Sequence, residues 1–208
     1  TSVRGFAPGP FKRCRNLKNV MIPNSVESLG SWSFAGCVTL DGIDLPSSLV
    51  TIGDCAFNKC TGLERFSIPE SVERIGADAF AGTTRYEKQK GGLVYLDNCL
   101  VGFKGAKPAG NVTVAPHTRV IADGLFRGCD QLSNITLPSG LILISTGTFE
   151  GCTKLQGITV PESVREVEDR AFKDCSGLNK IVIPKAVSVH ERAFEGCGAL
   201  ANIVISSR

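Results

Sequence analysis

The sequence predicts a repeat solenoid, a stack of similar coils that share one parallel β-sheet. Two periodic features indicate this class. Phenylalanines recur at intervals of 23 residues, or of two such periods, at Phe11, Phe34, Phe57, Phe80, Phe126, Phe149 and Phe172. Around them the same frame returns: Phe, two residues, Cys, two residues, Leu, two residues, then apolar-x-apolar-Pro. A unit this short cannot bury its own apolar face, so we expect the units to stack as a single domain over residues 1–208.

Each coil is predicted to contribute one short strand and a compact return. In the first unit Leu17, Val20 and Ile22 point inward while Met21 points outward, because side chains alternate along a strand. The proline that follows removes a backbone donor and ends the pairing. On the return side, residues 31–37 are predicted to form a tight turn or a short helical segment around a buried Phe ring.

The frame is regular over residues 11–80 and 126–205 and is interrupted over residues 81–125. Phe103 keeps the 23-residue period, and Ala106 follows it in the position that Cys normally takes. We therefore expect a degenerate repeat that begins at Phe103 and ends where the regular frame resumes.

The first part of the interruption predicts a β-hairpin island. Residues 91–103 are rich in β-formers on both sides of Asp97-Asn98, a pair typical of a tight hairpin turn. Residues 83–92, which precede this hairpin, are polar and basic. The island is therefore expected to be exposed and to protrude from the stack.

Most of the cysteines are predicted to form a ladder inside the solenoid. Stacked coils would place equivalent residues about 4.8 Å apart, with parallel Cβ directions that disfavour a disulfide. A metal site would need four converging ligands, so neither a metal nor another cofactor is predicted. We expect small buried thiols that pack as hydrophobic side chains. The seven cysteines in this position are Cys14, Cys37, Cys60, Cys129, Cys152, Cys175 and Cys197.

The repeat frame resembles that of the BspA-like, or Treponema-type, leucine-rich repeat family. The family pattern is Leu-x-x-Ile-x-Ile-Pro-x-Ser-Val-x-x-Ile-Gly-x-x-Ala-Phe-x-x-Cys, and similar matches extend over about three quarters of the chain. It is matched here by Ile68-Pro69, Ser71-Val72, Ile75-Gly76 and Ala79-Phe80. The resemblance implies a curved leucine-rich-repeat array, with a parallel β-sheet on one side and turns or short helices on the return side. For function it implies contacts with host matrix proteins or with other cells.

Composition and charge argue against several functional classes. The 23 basic and 20 acidic residues are interleaved, which disfavours nucleic acid as a partner because nucleic-acid-binding domains carry a basic stripe. No apolar run approaches the roughly 18 residues that indicate a transmembrane helix. His117 and His190 lie far apart in the predicted stack and neither has a spaced set of catalytic partners. The sequence therefore predicts no catalytic residues and no enzyme activity.

The outward positions of the predicted strands form the first candidate binding surface. They carry small polar side chains and few of the large Trp, Tyr and Arg anchors that dominate protein interfaces. This pattern is typical of a weak or extended binding face, or of a face that is only solvated. The candidate residues are Asn19, Met21, Asp44, Arg65, Ser67, Asn134, Thr136, Thr159 and Lys180.

Two other surfaces are candidates. Ile142 and Leu143 occupy return positions that are polar in other repeats, which predicts an exposed apolar pair. The island would offer a cationic patch, which could attract an acidic protein or glycan surface or could equally serve solubility. Its candidate residues are Arg85, Tyr86, Lys88 and Lys90.

These features together predict a non-enzymatic adhesion or recognition module on a microbial cell surface, or secreted, that binds a protein or glycan on another cell or matrix. The alternative is a scaffold in the cytoplasm, because nine apparently unpaired cysteines suit a reducing compartment. The last repeat lacks the polar cap that normally ends such arrays. This predicts that the chain is a piece of a longer array.

Overall fold

The structure, a computed structural model, describes residues 3–206 and divides into two compact units. Unit 1 is Thr1–Lys104 and unit 2 is Gly105–Arg208. Each unit is a stack of short coils joined by parallel strand pairs, which confirms the predicted repeat solenoid with a parallel β-sheet. The single domain over residues 1–208 stays a prediction.

Residues 3–206 contain short strands and one four-residue helix. In chain order the elements are β1 (Gly5–Phe6), β2 (Ser28–Leu29), β3 (Thr51–Ile52), β4 (Arg74–Ile75), α1 (Thr84–Glu87), β5 (Gly92–Leu96), β6 (Cys99–Lys104), β7 (Gly110–Thr113), β8 (Val120–Ile121), β9 (Leu132–Thr136), β10 (Leu143–Ile144), β11 (Gly157–Thr159), β12 (Glu166–Val167), β13 (Lys180–Ile183), β14 (Ser188–Val189) and β15 (Asn202–Ile205).

The phenylalanine positions of the frame fill the interior of both units. Four rings stack in unit 1, with centroid separations of 5.2, 5.5 and 5.4 Å. Four more stack in unit 2, at 5.4, 5.2 and 5.3 Å. Each buried ring contributes about 2–3 kcal/mol of transfer free energy, so the columns are a main source of stability. The rings are Phe11, Phe34, Phe57 and Phe80, then Phe126, Phe149, Phe172 and Phe194.

The return sides of the coils pair in parallel. In unit 1 the strand order is β1-β2-β3-β4, and each strand pairs with residues one repeat further along the chain. In unit 2 the order is β10-β12-β14. The inward residue is apolar and buried at Leu29, Ile52 and Ile75 in unit 1 and at Ile144 and Val167 in unit 2. In β14 the equivalent Val189 is 43% exposed.

The outward-facing sheet on the other side, which we call the strand face, differs between the units. In unit 2 it is a five-stranded parallel sheet in the order β15-β13-β11-β9-β7. In the described part of unit 1, residues 3–104, the equivalent segments are joined by isolated parallel bridges, Met21 with Asp44 and Gly42 with Arg65. The same sequence frame therefore produces a continuous sheet in one unit and single bridges in the other.

The segments that carry the Phe rings are turns and not helices. They bend at two left-handed positions, two residues before and two residues after the Phe. Around Phe34 these positions are Trp32 (φ 63°) and Gly36 (φ 73°). The turn closes where the Cys37 N–H donates to the Phe34 carbonyl at 3.0 Å. Of the two predicted alternatives for residues 31–37, the tight turn is confirmed.

The cysteine ladder is present. All nine cysteines are free thiols, and five of the seven in the repeat position are buried, whereas Cys14 is exposed and Cys197 is half-buried. The thiol of Cys60 donates to the Phe34 carbonyl of the preceding coil at 3.0 Å, and Cys152 donates to Phe126 at 3.2 Å. Burial raises the pKa of Cys60 to about 12, so this thiol stays protonated and acts as a weak donor inside the core.

The hairpin prediction is confirmed, but the predicted protrusion is wrong. Strands β5 and β6 pair antiparallel around the Asp97-Asn98 turn. Val94 and Leu96 of β5 are buried, and so are the three consecutive residues Cys99, Leu100 and Val101 of β6. The side chain of Tyr86 in α1 is also buried, and its hydroxyl donates to the Phe103 carbonyl at 3.1 Å. The hairpin and α1 therefore belong to the core of unit 1, because they bury apolar surface that a regular coil would otherwise bury.

The predicted register at Phe103 is also wrong. Phe103 lies in β6 opposite Leu93, is half-buried, and does not occupy a turn of the Phe column. Ala106 is exposed and so is not part of the cysteine ladder. The frame resumes in β7, where Val112 is in register with Ile135. The 23-residue count alone could not reveal this shift, since a hairpin of suitable length preserves the spacing.

Candidate interaction face

All nine predicted strand-face residues are exposed, and within each unit they share one face. The alternation of side chains explains this placement: in unit 1 Ile43 is buried between exposed Asp44 and half-buried Gly42. The most exposed is Met21, at 96%. Unit 1 carries Asn19, Met21, Asp44, Arg65 and Ser67, and unit 2 carries Asn134, Thr136, Thr159 and Lys180.

In unit 1 the strand face contains a small cleft of about 300 Å³. Gly42 lies at its centre, between Asn19 of the preceding coil and Arg65 of the following one. The Arg65 guanidinium forms an ion pair with Asp41 at 2.8 Å, and both side chains are well exposed. Exposed ion pairs contribute little to stability, but this pair neutralises the cation beside the cleft.

In unit 2 the strand face contains a larger groove of about 720 Å³ across β9, β11 and β13. Its central residue is again a glycine, Gly157, which pairs with Asn134 of the preceding strand and Lys180 of the following strand. The carboxamide of Asn134 donates to the Asn111 carboxamide oxygen at 2.9 Å, which orients it on the sheet.

The two clefts share an arrangement that spans three coils: an asparagine, a glycine and a cation. In unit 1 the triplet is Asn19, Gly42 and Arg65. In unit 2 it is Asn134, Gly157 and Lys180. A missing side chain between two long neighbours leaves a concave surface, and concave surfaces are where ligands bind most often.

The far end of the unit 2 groove includes residues that the sequence reasoning missed. Ser139 and Glu162 line it from the turns after β9 and β11. The alternation of strands does not extend into those turns, so outward periodicity could not identify them. Their position next to Pro138 and Pro161, where the strands end, was the available signal.

The island does not offer the free cationic patch that was predicted. The Arg85 guanidinium forms an ion pair with Asp97 at 2.7 Å, donates to the Phe66 carbonyl at 2.6 Å and lies 4.8 Å from the centre of the Phe66 ring. Lys88 is paired with Glu64. Tyr86 is buried, so the prediction that it is exposed is wrong. The Arg85 cation is already paired with Asp97. Lys88 and Lys90 are exposed.

Asp97 holds the hairpin to the last coil of unit 1 through two donors. The backbone N–H of Ile68 donates to its Oδ2 at 2.8 Å, alongside the contacts from Arg85. Partial burial would raise the pKa of this carboxyl, but the hydrogen bonds from Arg85 and Ile68 hold the pKa below its usual value. Arg85 donates to the Phe66 carbonyl and Asp97 accepts from the Ile68 N–H. The two side chains together therefore satisfy one backbone acceptor and one backbone donor of the 66–68 segment.

The predicted apolar pair on the return side is not exposed. Ile142 is only 6% exposed, and Leu143 is half-buried in β10, which pairs with β12. One repeat before and one repeat after Ile142 the frame places Arg119 and Arg165. The Ile142 N–H donates to the Arg119 carbonyl at 3.1 Å, and the Arg165 N–H donates to the Ile142 carbonyl at 3.0 Å. Ile142 therefore lies between two neighbouring coils, which single-residue hydropathy does not capture.

The polar groups that recur along the chain serve the fold. The hydroxyl groups of Ser25, Ser71 and Ser163 each donate at 2.7 Å to a carbonyl of the preceding coil. His190 faces Glu166 at 3.4 Å on an exposed surface. Within residues 3–206, no cluster of three or more His, Cys, Asp or Glu side chains is placed to hold a metal ion. None of the helical segments in that range is long and apolar enough to cross a membrane.

One known protein family matches most of the chain. The sequence pattern of the family described as "BspA type Leucine rich repeat region" matches residues 2–90 and 102–208, in six copies. No curated protein sequence matches the chain at a significant level.

The chain is similar to several solved structures. A leucine-rich cell surface protein from Faecalibacterium prausnitzii A2-165 is 25% identical with a TM-score of 0.53, over 96% of this chain and 62% of that one. The pneumococcal vaccine antigen PcpA is 21% identical with a TM-score of 0.55, over 88% of this chain and 54% of its own. A leucine-rich repeat protein of T. pallidum is 28% identical with a TM-score of 0.42, over 85% and 72%. The chain thus spans less than two thirds of the first two proteins.

Proposed function

Because the chain belongs to the BspA-type leucine-rich repeat family, we propose that it is a non-enzymatic recognition module that binds a macromolecule through the strand faces of its units. The observation that carries this proposal is the groove of about 720 Å³ on the five-stranded face of unit 2. A repeat sheet presents successive side chains at fixed spacing, which suits an extended contact better than a catalytic cleft.

Three hydroxyl groups of this groove are free to meet a ligand. Within residues 3–206, the hydroxyl groups of Thr136, Ser139 and Thr159 form no hydrogen bond with the protein. Specific recognition depends on polar groups that are placed before the ligand arrives. The groove therefore has both the shape and the unused donors and acceptors of a binding surface.

We further propose that the module acts at a bacterial cell surface or outside the cell, where it contacts a protein or glycan of another cell or of the matrix. The support is the likeness to the F. prausnitzii leucine-rich cell surface protein. Labelling of intact cells with a membrane-impermeant reagent is the test. Recovery of the labelled chain would support the proposal, and labelling only after lysis would contradict it.

The nine free cysteines favour a second candidate, an intracellular scaffold. The structure weakens this argument, because a thiol that is buried and has a pKa of about 12, as at Cys60, is protected from oxidation wherever the protein resides. The informative cysteine is the exposed Cys14. If Cys14 is found unmodified and reduced in protein from its native source, the scaffold is favoured.

A pair of matched variants tests the binding face. Thr159→Arg places a long side chain across the unit 2 groove, whereas Thr153→Arg makes the same change at an exposed turn outside it. In capture experiments from extracts of candidate host cells, we expect Thr159→Arg to lose the partner while Thr153→Arg retains it. Equal capture by both variants would contradict the proposal.

A further inference from the structure

The two clefts differ in charge although they share the asparagine–glycine–cation triplet. In unit 1 the Arg65 cation is neutralised by Asp41 at 2.8 Å, and Asp44 also lines the cleft. In unit 2 the Lys180 ammonium has no hydrogen-bond or ion-pair partner within the described part of the chain. An uncompensated cation on the wall of a groove attracts an anionic group, so only the unit 2 groove is prepared for one.

The opposite end of the unit 2 groove carries a carboxylate. Glu162 lies five positions after Gly157, and Gly157 is in register with Lys180. At about 3.3 Å per residue of extended chain, the two charged positions are about 16 Å apart along the strands. One Glu162 oxygen accepts a hydrogen bond from Ser206, and within residues 3–206 the other has no partner. The groove is therefore dipolar, positive at the amino ends of its strands and negative at the carboxyl ends.

Gly157 at the centre of the groove is not required by the packing of the sheet. A Cβ atom added there would lie 3.5 Å from the Lys180 carbonyl oxygen, which is an ordinary contact, and the backbone is not left-handed. At Gly42 in unit 1 the equivalent distance is 3.1 Å, so that glycine is partly a packing requirement. The absent side chain at Gly157 mainly keeps the groove open.

The remaining lining favours a polypeptide over a sugar. None of the groove-lining residues is aromatic, so the groove has no flat ring on which a sugar could stack. It offers instead side-chain hydroxyl groups beside apolar Leu137, Pro161 and Val182. Hydroxyl groups can both donate to and accept from a peptide backbone, and the apolar residues can contact its side chains.

We propose that the unit 2 groove binds an extended polypeptide segment that carries an acidic and a basic side chain about five residues apart, the acidic one at Lys180 and the basic one at Glu162. This inference rests on the proposed function of the strand face and names the chemistry of its ligand. Ionic contacts at an exposed groove set selectivity and association rate more than affinity, so the hydroxyl groups and the apolar residues supply the rest.

Synthetic peptides test the spacing. The probe is a fluorescent eight-residue peptide with glutamate second and lysine seventh, and serine, threonine or valine elsewhere. The control peptide has the same composition with the two charged residues adjacent. By fluorescence anisotropy at low salt, we expect the spaced peptide to bind at least about three-fold more tightly, with the preference reduced at high salt. Equal binding of the two peptides would overturn the proposal.

Variants test the residues. Lys180→Gln and Glu162→Gln should each weaken the spaced peptide by about three- to five-fold, and Gly157→Val should abolish its binding. Lys59→Gln removes the same charge at an exposed turn of unit 1 and should have no effect. Glu162→Lys should switch the preference to a peptide with two spaced glutamates. Far-ultraviolet circular dichroism confirms that each variant is folded, and a folded Lys180→Gln that binds the spaced peptide unchanged would overturn the proposal.

The same variants distinguish this inference from the proposed function. If Thr159→Arg abolishes capture of the natural partner while no spaced peptide binds, the face is the binding surface but the ligand class is wrong. If neither capture nor peptide binding depends on the groove, the proposed function itself fails.

Discussion

Units 1 and 2 build the same repeat frame in two ways, and the difference lies at the position that follows each return strand. In unit 1 this position is Gly30, Gly53 and Gly76, where a Cβ atom would collide with the backbone of the preceding coil; at Gly53 it would lie 2.5 Å from the Ser31 nitrogen. The coils of unit 1 therefore approach each other backbone to backbone on the return side.

In unit 2 the same position is Ala122 after β8, and after β10 and β12 it is Ser145 and Glu168, whose side chains bond between coils. The Ser145 hydroxyl lies 3.2 Å from the Ile121 carbonyl oxygen, to which it donates. Glu168 accepts from the backbone N–H of Thr146 at 2.9 Å and from its hydroxyl at 2.8 Å. Unit 2 is also the unit whose strand face is a continuous sheet. Glycine on the return side is thus replaced by Ser145 and Glu168 in the unit whose strand face is a continuous sheet.

The largest expected effect comes from breaking the glycine contact in unit 1. Gly53→Ser should destabilise the protein by about 3 kcal/mol or more, because the new Cβ meets backbone atoms that cannot move independently. Chemical denaturation followed by circular dichroism measures the change. The control is Gly91→Ser, where the nearest atom to a Cβ would be 3.9 Å away. Similar stabilities of the two variants would mean that the coils of unit 1 can separate at little cost.

The cysteine ladder should be equally important in both units. Cys60→Ser in unit 1 and Cys152→Ser in unit 2 should each cost about 1–3 kcal/mol, because a buried hydroxyl replaces a thiol in an apolar position. The exposed Cys14→Ser is the control and should change the free energy of unfolding by less than about 0.5 kcal/mol. A cost confined to one unit would show that the two ladders are not equivalent.

The contact between Arg85 and Asp97 should stabilise unit 1 in a pH-dependent manner. Because the pKa of Asp97 lies below its ordinary value of 3.8, folding favours the charged carboxylate. Its contribution is complete above about pH 4 and is lost as the pH falls through the lowered pKa of the folded state.

Urea denaturation of wild type and of Asp97→Asn at pH 7 and pH 2 measures this contribution. We expect the variant to be less stable by about 1–2 kcal/mol at pH 7, with a smaller difference at pH 2. The same difference at both values would show that the charge of Asp97 does not hold the hairpin.

The smallest effect is expected at the cleft of unit 1. Arg65→Ala removes an ion pair whose side chains are 75% and 63% exposed, so the free energy of unfolding should change by less than about 0.5 kcal/mol. Thermal denaturation at low and at high salt measures this change in the free energy of unfolding. A loss above 1 kcal/mol would indicate that the isolated bridges of this face depend on the pair.

The periodic features of the fold could be predicted from the sequence because each position repeats its environment. Phe34, Cys60 and Thr159 lie where the frame places them: in the ring column, in the thiol ladder and on the strand face. A position that recurs in several coils contacts its own equivalents, so one periodic pattern predicts many contacts at once.

The non-periodic contacts could not be predicted in this way. Tyr86 is buried because a hairpin some residues later folds over it, and Ile142 is shielded within a return surface that elsewhere is polar. Glu162 reaches the groove from a turn, outside the alternation of the strand. Each of these depends on contacts between segments that no repeat relates, which hydropathy and spacing do not specify.

Chemical labelling of lysines in the bound and free protein tests the role of the unit 2 strand face most directly. Acetylation followed by mass spectrometry compares Lys180 in the groove with Lys59 and Lys154 outside it. We expect a captured partner to protect Lys180 while Lys59 and Lys154 react as in the free protein. Unchanged labelling of Lys180, together with protection of Lys59 or Lys154, would contradict it.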